Sequence, residues 1–306
     1  MIPDKRLFIV IVFLFVAVDL RLGDPLAAQD RLLMFGRVHD DPVRSIRDRQ
    51  EFIDYIAKKL APLGIAGGRI VVVERLGLLA RALKAGQVDL FHDSVVPTMV
   101  LSKWTGSVPV LRQWKNGEAE YEGLIVVRRD SGINTLADLK GRTIAFEEPH
   151  STSATILPRM LLEERNLKLV EIKSPGKPKA DTVGFVYGSD GNSANFLITG
   201  RTDAATITSR ELERFKPEIG ESLKVIGKTR TVPRQIIAVR KDLDPKIVTS
   251  LKKVLTGMDR DPEGRTVLKR QQNTTKIDAI TPASLQQLKQ IERFVFSSLG
   301  DQVESW

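Results

Sequence analysis

The sequence predicts two similar α/β lobes, each a mixed, mainly parallel sheet flanked by helices, joined by two crossover strands. Three observations predict it. Strand and helix patterns alternate with short loops from Arg31 onward, the rhythm of βαβ units. An apolar helix closed by Gly and followed by an Asp-led strand occurs at 79–89 and again at 194–203. A strand-like run at 121–128 lies between these echoes and a similar one at 232–240 lies beyond the second, and each ends in basic residues. Taken alone the echo has chance as its alternative, because helix–Gly–strand order is common in any α/β protein.

In order along the chain, residues 31–38 form a first strand. Asp40, Asp41 and Pro42 suit a helix start, and Ile46, Phe52, Ile53, Ile56 and Leu60 recur at helical spacing. Residues 70–73 are a continuous β-branched strand, 76–83 a helix closed by Gly86, and 89–91 a third strand. After the first crossover, 143–146 read as a short buried strand, followed by a turn broken by Pro149 and a helix from Ser151 to about Arg165. A kink is expected near Pro158, which cannot donate to the Ala154 carbonyl. Residues 173–181, rich in Pro, Lys and Gly, are an exposed loop, and 204–207 a strand. Past the second crossover, 246–258 and 282–296 are closing helices. The expected division is a leader at 1–28, the first part of lobe 1 at 29–128, lobe 2 at 129–232, and the return to lobe 1 with the C-terminal helices at 233–306.

The amino-terminal segment bears on the compartment. Lys5 and Arg6 precede an apolar run at 7–18, and small residues follow at Ala27 and Ala28. Twelve apolar residues fall short of the roughly 20 that span a bilayer. The order basic, apolar, small is that of a signal peptide cut after about Ala28, an uncleaved anchor being the alternative. The chain has no cysteine, which excludes disulfides, thiolate metal sites, a Cys nucleophile and a lipid-modified Cys. The expectation is a periplasmic protein. The formal net charge of +9 is unchanged by removing residues 1–28, which hold three basic and three acidic side chains. That charge favours anionic partners, but Lys and Arg form no dense tract with interleaved aromatics, so no nucleic acid is expected.

The junction from strand 143–146 into Ser151-Thr152-Ser153 carries the chemistry. A helix start offers unpaired N–H groups and the positive end of the helix dipole. One hydroxyl suffices as a cap, and here there are three. Such a spot binds a small oxyanion. Tests for catalysis find little. His39, His92 and His150 lack metal-ligand spacing and read as loop histidines. No GxSxG, Walker or GxGxxG pattern is present. No catalytic group, metal centre or cofactor is expected, and the chain reads as a binding protein.

Tyr121, the run 129–133, Leu136-Ala137-Asp138-Leu139-Lys140-Gly141-Arg142-Thr143-Ile144-Ala145-Phe146, then Ser151-Thr152-Ser153 and Pro158 follow a recognisable order. With 86–89, Asp93-Ser94, 111–115, 183–187 and 200–203, this resembles the periplasmic phosphate/phosphite/phosphonate-binding proteins of ABC importers. The resemblance implies the two-lobed type II periplasmic-binding-protein fold with ligand in the cleft between lobes. It implies that Ser151, Thr152, Ser153 and the amide of Ala154 grip the oxyanion, with Tyr121 and the loop at Asp93 and Ser94 nearby. Ala154 stands where the family usually has Gly, and Leu76 near where a cleft tyrosine belongs. Asp190-Gly191-Asn192 replaces an anion-holding histidine, leaving Asn192 as a donor. Carboxylates that meet an amine in aminoalkyl-phosphonate binders correspond to the region of Arg210 and Gln235, so an oxyanion without an amino tail is expected.

The resulting expectation is a monomeric carrier of phosphite, phosphate or an amine-free phosphonate, working with an ABC permease. A sensing partner of a membrane histidine kinase or chemoreceptor is the alternative. Removing the Thr152 and Ser153 hydroxyls together should weaken binding with little loss of stability.

Overall fold

A computed structural model describes residues 31–172, 177–188 and 192–306. The leader at 1–28 and the pair Asp190-Gly191 lie outside the described residues. The first segment runs β1 (Arg31–Val38), α1 (Pro42–Arg47), α2 (Gln50–Leu60), β2 (Ile65–Val73), α3 (Leu76–Lys84), β3 (Leu90–Asp93), α4 (Val95–Thr105) and β4 (Val108–Gln113). β5 (Glu120–Tyr121) crosses to the second lobe. That lobe contains β6 (Gly123–Arg128), β7 (Thr143–Phe146), α5 (Leu157–Glu164), β8 (Lys168–Glu171), β9 (Thr182–Tyr187) and α6 (Asn192–Ile198), then β10 (Ala204–Thr208), α7 (Ser209–Arg214), α8 (Pro217–Ser222) and β11 (Leu223–Lys228). β12 (Val232–Pro233) crosses back. β13 (Gln235–Val239), α9 (Pro245–Gly257), α10 (Pro262–Arg270), β14 (Ile277–Ala279), α11 (Pro282–Ser298) and α12 (Gly300–Val303) complete the first lobe.

Each lobe holds a six-stranded sheet, in the orders β14-β4-β13-β3-β1-β2 and β11-β6-β10-β7-β9-β8. In the first, β2, β1 and β3 are parallel, and the half beyond β3 is antiparallel. In the second, β10, β7, β9 and β8 are parallel, and β6 and β11 antiparallel. The crossovers pair with each other through Val232 opposite Tyr121 and Pro233 opposite Glu120. One apolar layer of lobe 1 packs α2 and α9 on the sheet; the other packs α3, α4 and α11. The second layer runs on into Ile156, Leu157 and Met160 of lobe 2, so the two lobes share buried surface.

Local chemistry explains where the elements begin. Asp41 accepts the Arg44 N–H (2.9 Å) and Pro42 fills the first turn, which starts α1. The helix then breaks before Gln50, so Ile46 is exposed rather than core-facing as its spacing predicts. β2 begins at Ile65, earlier than the β-branched run suggests. Gly68 makes this possible, since a Cβ there would stand 2.9 Å from the Ile53 backbone. α4 escapes the helical-period reading because it is buried nearly all round and shows no polar face. Gly106, with φ at +74°, closes it.

Lobe 1 is tied across its sheet by one buried carboxylate. Asp89, 2% exposed, accepts from Arg31 Nη2 (2.6 Å), Arg240 Nε (3.1 Å) and the Met34 N–H (2.9 Å). Arg31 and Met34 precede Arg240 by about two hundred residues, so Asp89 joins parts of the sheet made early and late in the chain. Removing one member of such a pair leaves buried charge uncompensated. Asp89→Ala should lower the unfolding free energy by about 3 kcal/mol, read from urea denaturation, and a change under about 0.5 kcal/mol would contradict this role.

Candidate functional site

β7 ends at Phe146 and the chain turns through Glu147–His150 to Ser151, the N-cap of the next helix. Its first turn is wider than α. The Ile156 N–H reaches the Ser151 carbonyl (3.0 Å) and the Leu157 N–H reaches that of Thr152, an i→i+5 register that gives way to α5 at Leu157. This replaces the α-helix with a simple kink that the sequence suggests. Pro158 can donate to neither Ser153 nor Ala154. The Ala154 carbonyl instead accepts the Thr206 hydroxyl from β10 and the Glu147 N–H (3.3 Å). The Ser153 carbonyl lies against Gly123, where a Cβ would come within 1.9 Å of it. Among the described residues, the N–H groups of Thr152, Ser153, Ala154 and Thr155 have no hydrogen-bond partner. They are the orphan donors that any helix start leaves.

The three hydroxyls have different surroundings. Ser151 Oγ donates to the Glu147 carboxylate (3.0 Å). Thr152 Oγ1 reaches across to lobe 1, accepting the Val96 N–H (2.9 Å) and donating to Ser94 Oγ (3.1 Å). Ser94 is the N-cap residue of α4 but makes no side-chain cap, so Thr152 caps that helix from the other lobe. Burial pushes the Tyr121 phenol up, while Arg234 and the hydroxyls of Ser153 and Thr152 act the other way. Arg234 stacks on the Tyr121 ring, 4.2 Å from its centroid. Asp93 accepts from Arg37 Nη1 (3.0 Å) and from the Ser94 N–H (2.7 Å).

The fold therefore gathers Ser94, Asp93, Tyr121, Ser151, Thr152, Ser153 and Ala154 at the meeting of α4 and the i→i+5 turn. Ala154 is fully buried. Gln235 opens β13, 6% exposed, and among the described residues its Oε1 has no partner. Asn192 opens α6, its Oδ1 accepting from Asn195 (3.3 Å), and lines neither cleft cavity. A cavity of about 630 Å³ opens beside the turn, lined by Arg37, Arg75, Ser94, His150, Ser151 and Trp306 among others. A second, of about 270 Å³, lies at the crossovers between Tyr121, Arg234 and Arg210.

Two expectations change here. Glu118, Glu120 and Glu122 line the same cavity as Arg210, so carboxylates do stand there. Each has a base, Arg234 (3.5 Å), Arg112 (3.1 Å) and Lys228 (3.6 Å) respectively. His92 is a core residue of β3 rather than a loop histidine, bonded to Gln113 (2.8 Å) and kept neutral by burial. Sequence reasoning missed the Val96 N–H and Thr206. Both act through backbone geometry or a distant strand, and only the Ser94 start of α4 hints at the former.

Among the described residues no group of three or more His, Asp or Glu is placed to hold a metal ion. No described helix is long and apolar enough to cross a membrane.

Because Thr152 caps α4, its hydroxyl also bears on stability, contrary to the expectation from sequence. Thr152→Ala should lower stability by about 1 kcal/mol while Thr152→Ser retains it, as thermal unfolding would show. Gly123→Ala should cost about 2 kcal/mol by driving Cβ into the Ser153 carbonyl; an unshifted unfolding midpoint would contradict the packing.

Residues 37–287 match the family described as ABC transporter, phosphonate, periplasmic substrate-binding protein. The phosphonates-binding periplasmic protein of Escherichia coli K12 is 24% identical over 251 residues, covering 79% of this chain and 70% of that protein. XAC2383 from Xanthomonas citri, solved with chloride, superposes with a TM-score of 0.81 at 26% identity, over 90% of this chain and 99% of that one. Solved with ATP, it gives 0.80 at 25% identity, over 90% and 98%. PhnD1 from Prochlorococcus marinus (MIT 9301), in complex with methylphosphonate, gives 0.64 at 18% identity, over 87% and 99%, a likeness of fold. The sheet orders and paired crossovers are those of the type II periplasmic-binding fold, and the match extends over most of the sequence. The chain belongs to the periplasmic substrate-binding proteins of phosphonate ABC transporters, which bind and deliver a substrate and are not enzymes.

Proposed function

We propose that this protein captures an amine-free phosphonate or related phosphate-like oxyanion between its lobes and presents it to the permease. One observation carries the reading: four adjacent N–H groups, without partners among the described residues, and three hydroxyls gather at one turn, from which Thr152 reaches the start of α4 in the other lobe. In this reading Ser151 exchanges Glu147, and Thr152 exchanges Ser94, for ligand oxygens. Hydrogen bonds to a charged group contribute about 1.5–3 kcal/mol each. A few of them, offset by desolvation and lobe closure, support a Kd at or below about 1 μM. The glutamates at Arg210 do not argue for an amine, because each already has a basic partner.

The cavity of about 630 Å³ favours a ligand with an organic substituent over bare phosphite or phosphate. It also supports a second reading, a larger phosphorylated compound. XAC2383 has been solved with both chloride and ATP, and here His150 and Trp306 face each other at 6.1 Å beside the turn.

Calorimetric titration with methylphosphonate, phosphite, phosphate, sulfate and ATP tests both. Methylphosphonate should bind, and Ser153→Ala should weaken it by about ten-fold. Tighter binding of ATP would favour the second reading. Absence of heat and of thermal stabilisation with the whole set would reject the site.

A further inference from the structure

The last apolar stripe of lobe 1 reaches the cleft. Leu299, Val303 and Trp306 recur at i, i+4 and i+7, one face of a helical path, and all three join the layer formed by α3, α4 and α11. The Trp306 N–H donates to the Val303 carbonyl (3.2 Å), and the Trp306 backbone oxygen accepts the Gly77 N–H (3.2 Å). Gly77 is the second residue of α3, so this bond takes up one of the donors that the helix start leaves over. Backbone bonds on both sides therefore fix the indole, which is 9% exposed and lines the cavity of about 630 Å³.

Lobe 2 meets it there. The His150 ring lies 6.1 Å from the Trp306 ring, centroid to centroid, with the two planes inclined at 46°. Glu148 Oε2 is 3.4 Å from His150 Nε2, a contact that steadies the imidazole. Leu76 and Pro97 on one side and Pro149 on the other extend the apolar lining. His150 immediately precedes Ser151, so a substituent on a head group held at that turn lies beside this pair. Asp93 and Glu147 line the cavity too, the first engaged by Arg37 (3.0 Å) and the second by the Ser151 hydroxyl (3.0 Å). With Glu148 they disfavour a second acidic group on the ligand. What the wall offers a substituent is the face of an indole.

We propose that Trp306, with His150 across the cleft, receives the organic substituent of the ligand and selects a planar ring over a small alkyl group. This rests on the head group being held at the Ser151–Ser153 turn. Ring pairs at such separations contribute beyond the area they bury, and a flat substituent takes up the indole face that the imidazole now covers. The competing account is that Trp306 is a core side chain with no part in recognition.

Calorimetric titration of the full chain with methylphosphonate, cyclohexylphosphonate and phenylphosphonate separates the two accounts. Phenylphosphonate should bind about ten-fold tighter than methylphosphonate. Cyclohexylphosphonate, as bulky but without a flat face, should fall well short of phenylphosphonate. Trp306→Leu keeps an apolar side chain in the layer but removes the flat face, and should collapse the phenyl-to-methyl ratio. Trp306→Phe should preserve most of it. His150→Ala, at a partly exposed position, should lower the same ratio by about three-fold with less risk to folding. The shared head group cancels from that ratio. Equal affinity for phenylphosphonate and methylphosphonate in the unaltered protein, equal affinity for the phenyl and cyclohexyl compounds, or a ratio that survives Trp306→Leu in a folded variant overturns the proposal. If Trp306→Leu does not fold, a ratio that survives His150→Ala overturns it instead. Failure of all three phosphonates to bind overturns the head-group reading on which it rests.

Discussion

The hydrogen bond from the Val96 N–H to Thr152 Oγ1 is the constraint on which the cleft depends. It joins two helix starts from different lobes, each with donors its own helix cannot satisfy. Once Thr152 is fixed to α4, the turn that carries it must fit between lobe 1 and β6. Gly123 supplies the clearance for the Ser153 carbonyl, and Thr206 anchors the next carbonyl along. The i→i+5 register follows from Pro158 and from these anchors together. In the proposed reading an oxyanion takes the Thr152 hydroxyl from Ser94, which would couple ligand entry to this contact between the lobes.

That coupling is backed by packing. Ile156, Leu157 and Met160, just beyond the turn, belong to the same apolar layer as α3, α4 and α11. Burial of such side chains contributes roughly 1.5–3 kcal/mol each, comparable to the charge-assisted bonds an oxyanion would make. Polar and apolar contacts across the cleft are therefore of similar size, and neither alone sets the separation of the lobes. The paired crossovers supply only a two-residue ladder at Tyr121 and Val232.

Much of this arrangement can be read in the residues. β1 and β7 fall where alternation and β-branching place them, and the crossovers lie at the starts of the runs 121–128 and 232–240, the rest of each run being a strand of one lobe's own sheet. The Ser-Thr-Ser run points to the turn. Long-range assembly is what local pattern hides. α4 has no polar face to reveal its period, because both lobe 1 and α11 cover it. The wide first turn of the helix depends on Thr206, some fifty residues away, and on a glycine before β6. Arg37 looks like a scattered surface cation until the sheet sets β1 beside β3 and brings it to Asp93. Glu118, Glu120 and Glu122 likewise reach Arg210 only through the crossover.

The position of β13 has a consequence for how the chain folds. It lies between β3 and β4 and is buried along its length, yet it is made about 140 residues after β3. Until Gln235–Val239 arrives, β3 and β4 have open inner edges and Asp89 lacks Arg240. Lobe 2, contiguous in sequence, has no such wait. The first lobe to be synthesised is therefore the last to be completed, and its unpaired strand edges are the part of the nascent molecule most exposed to mispairing.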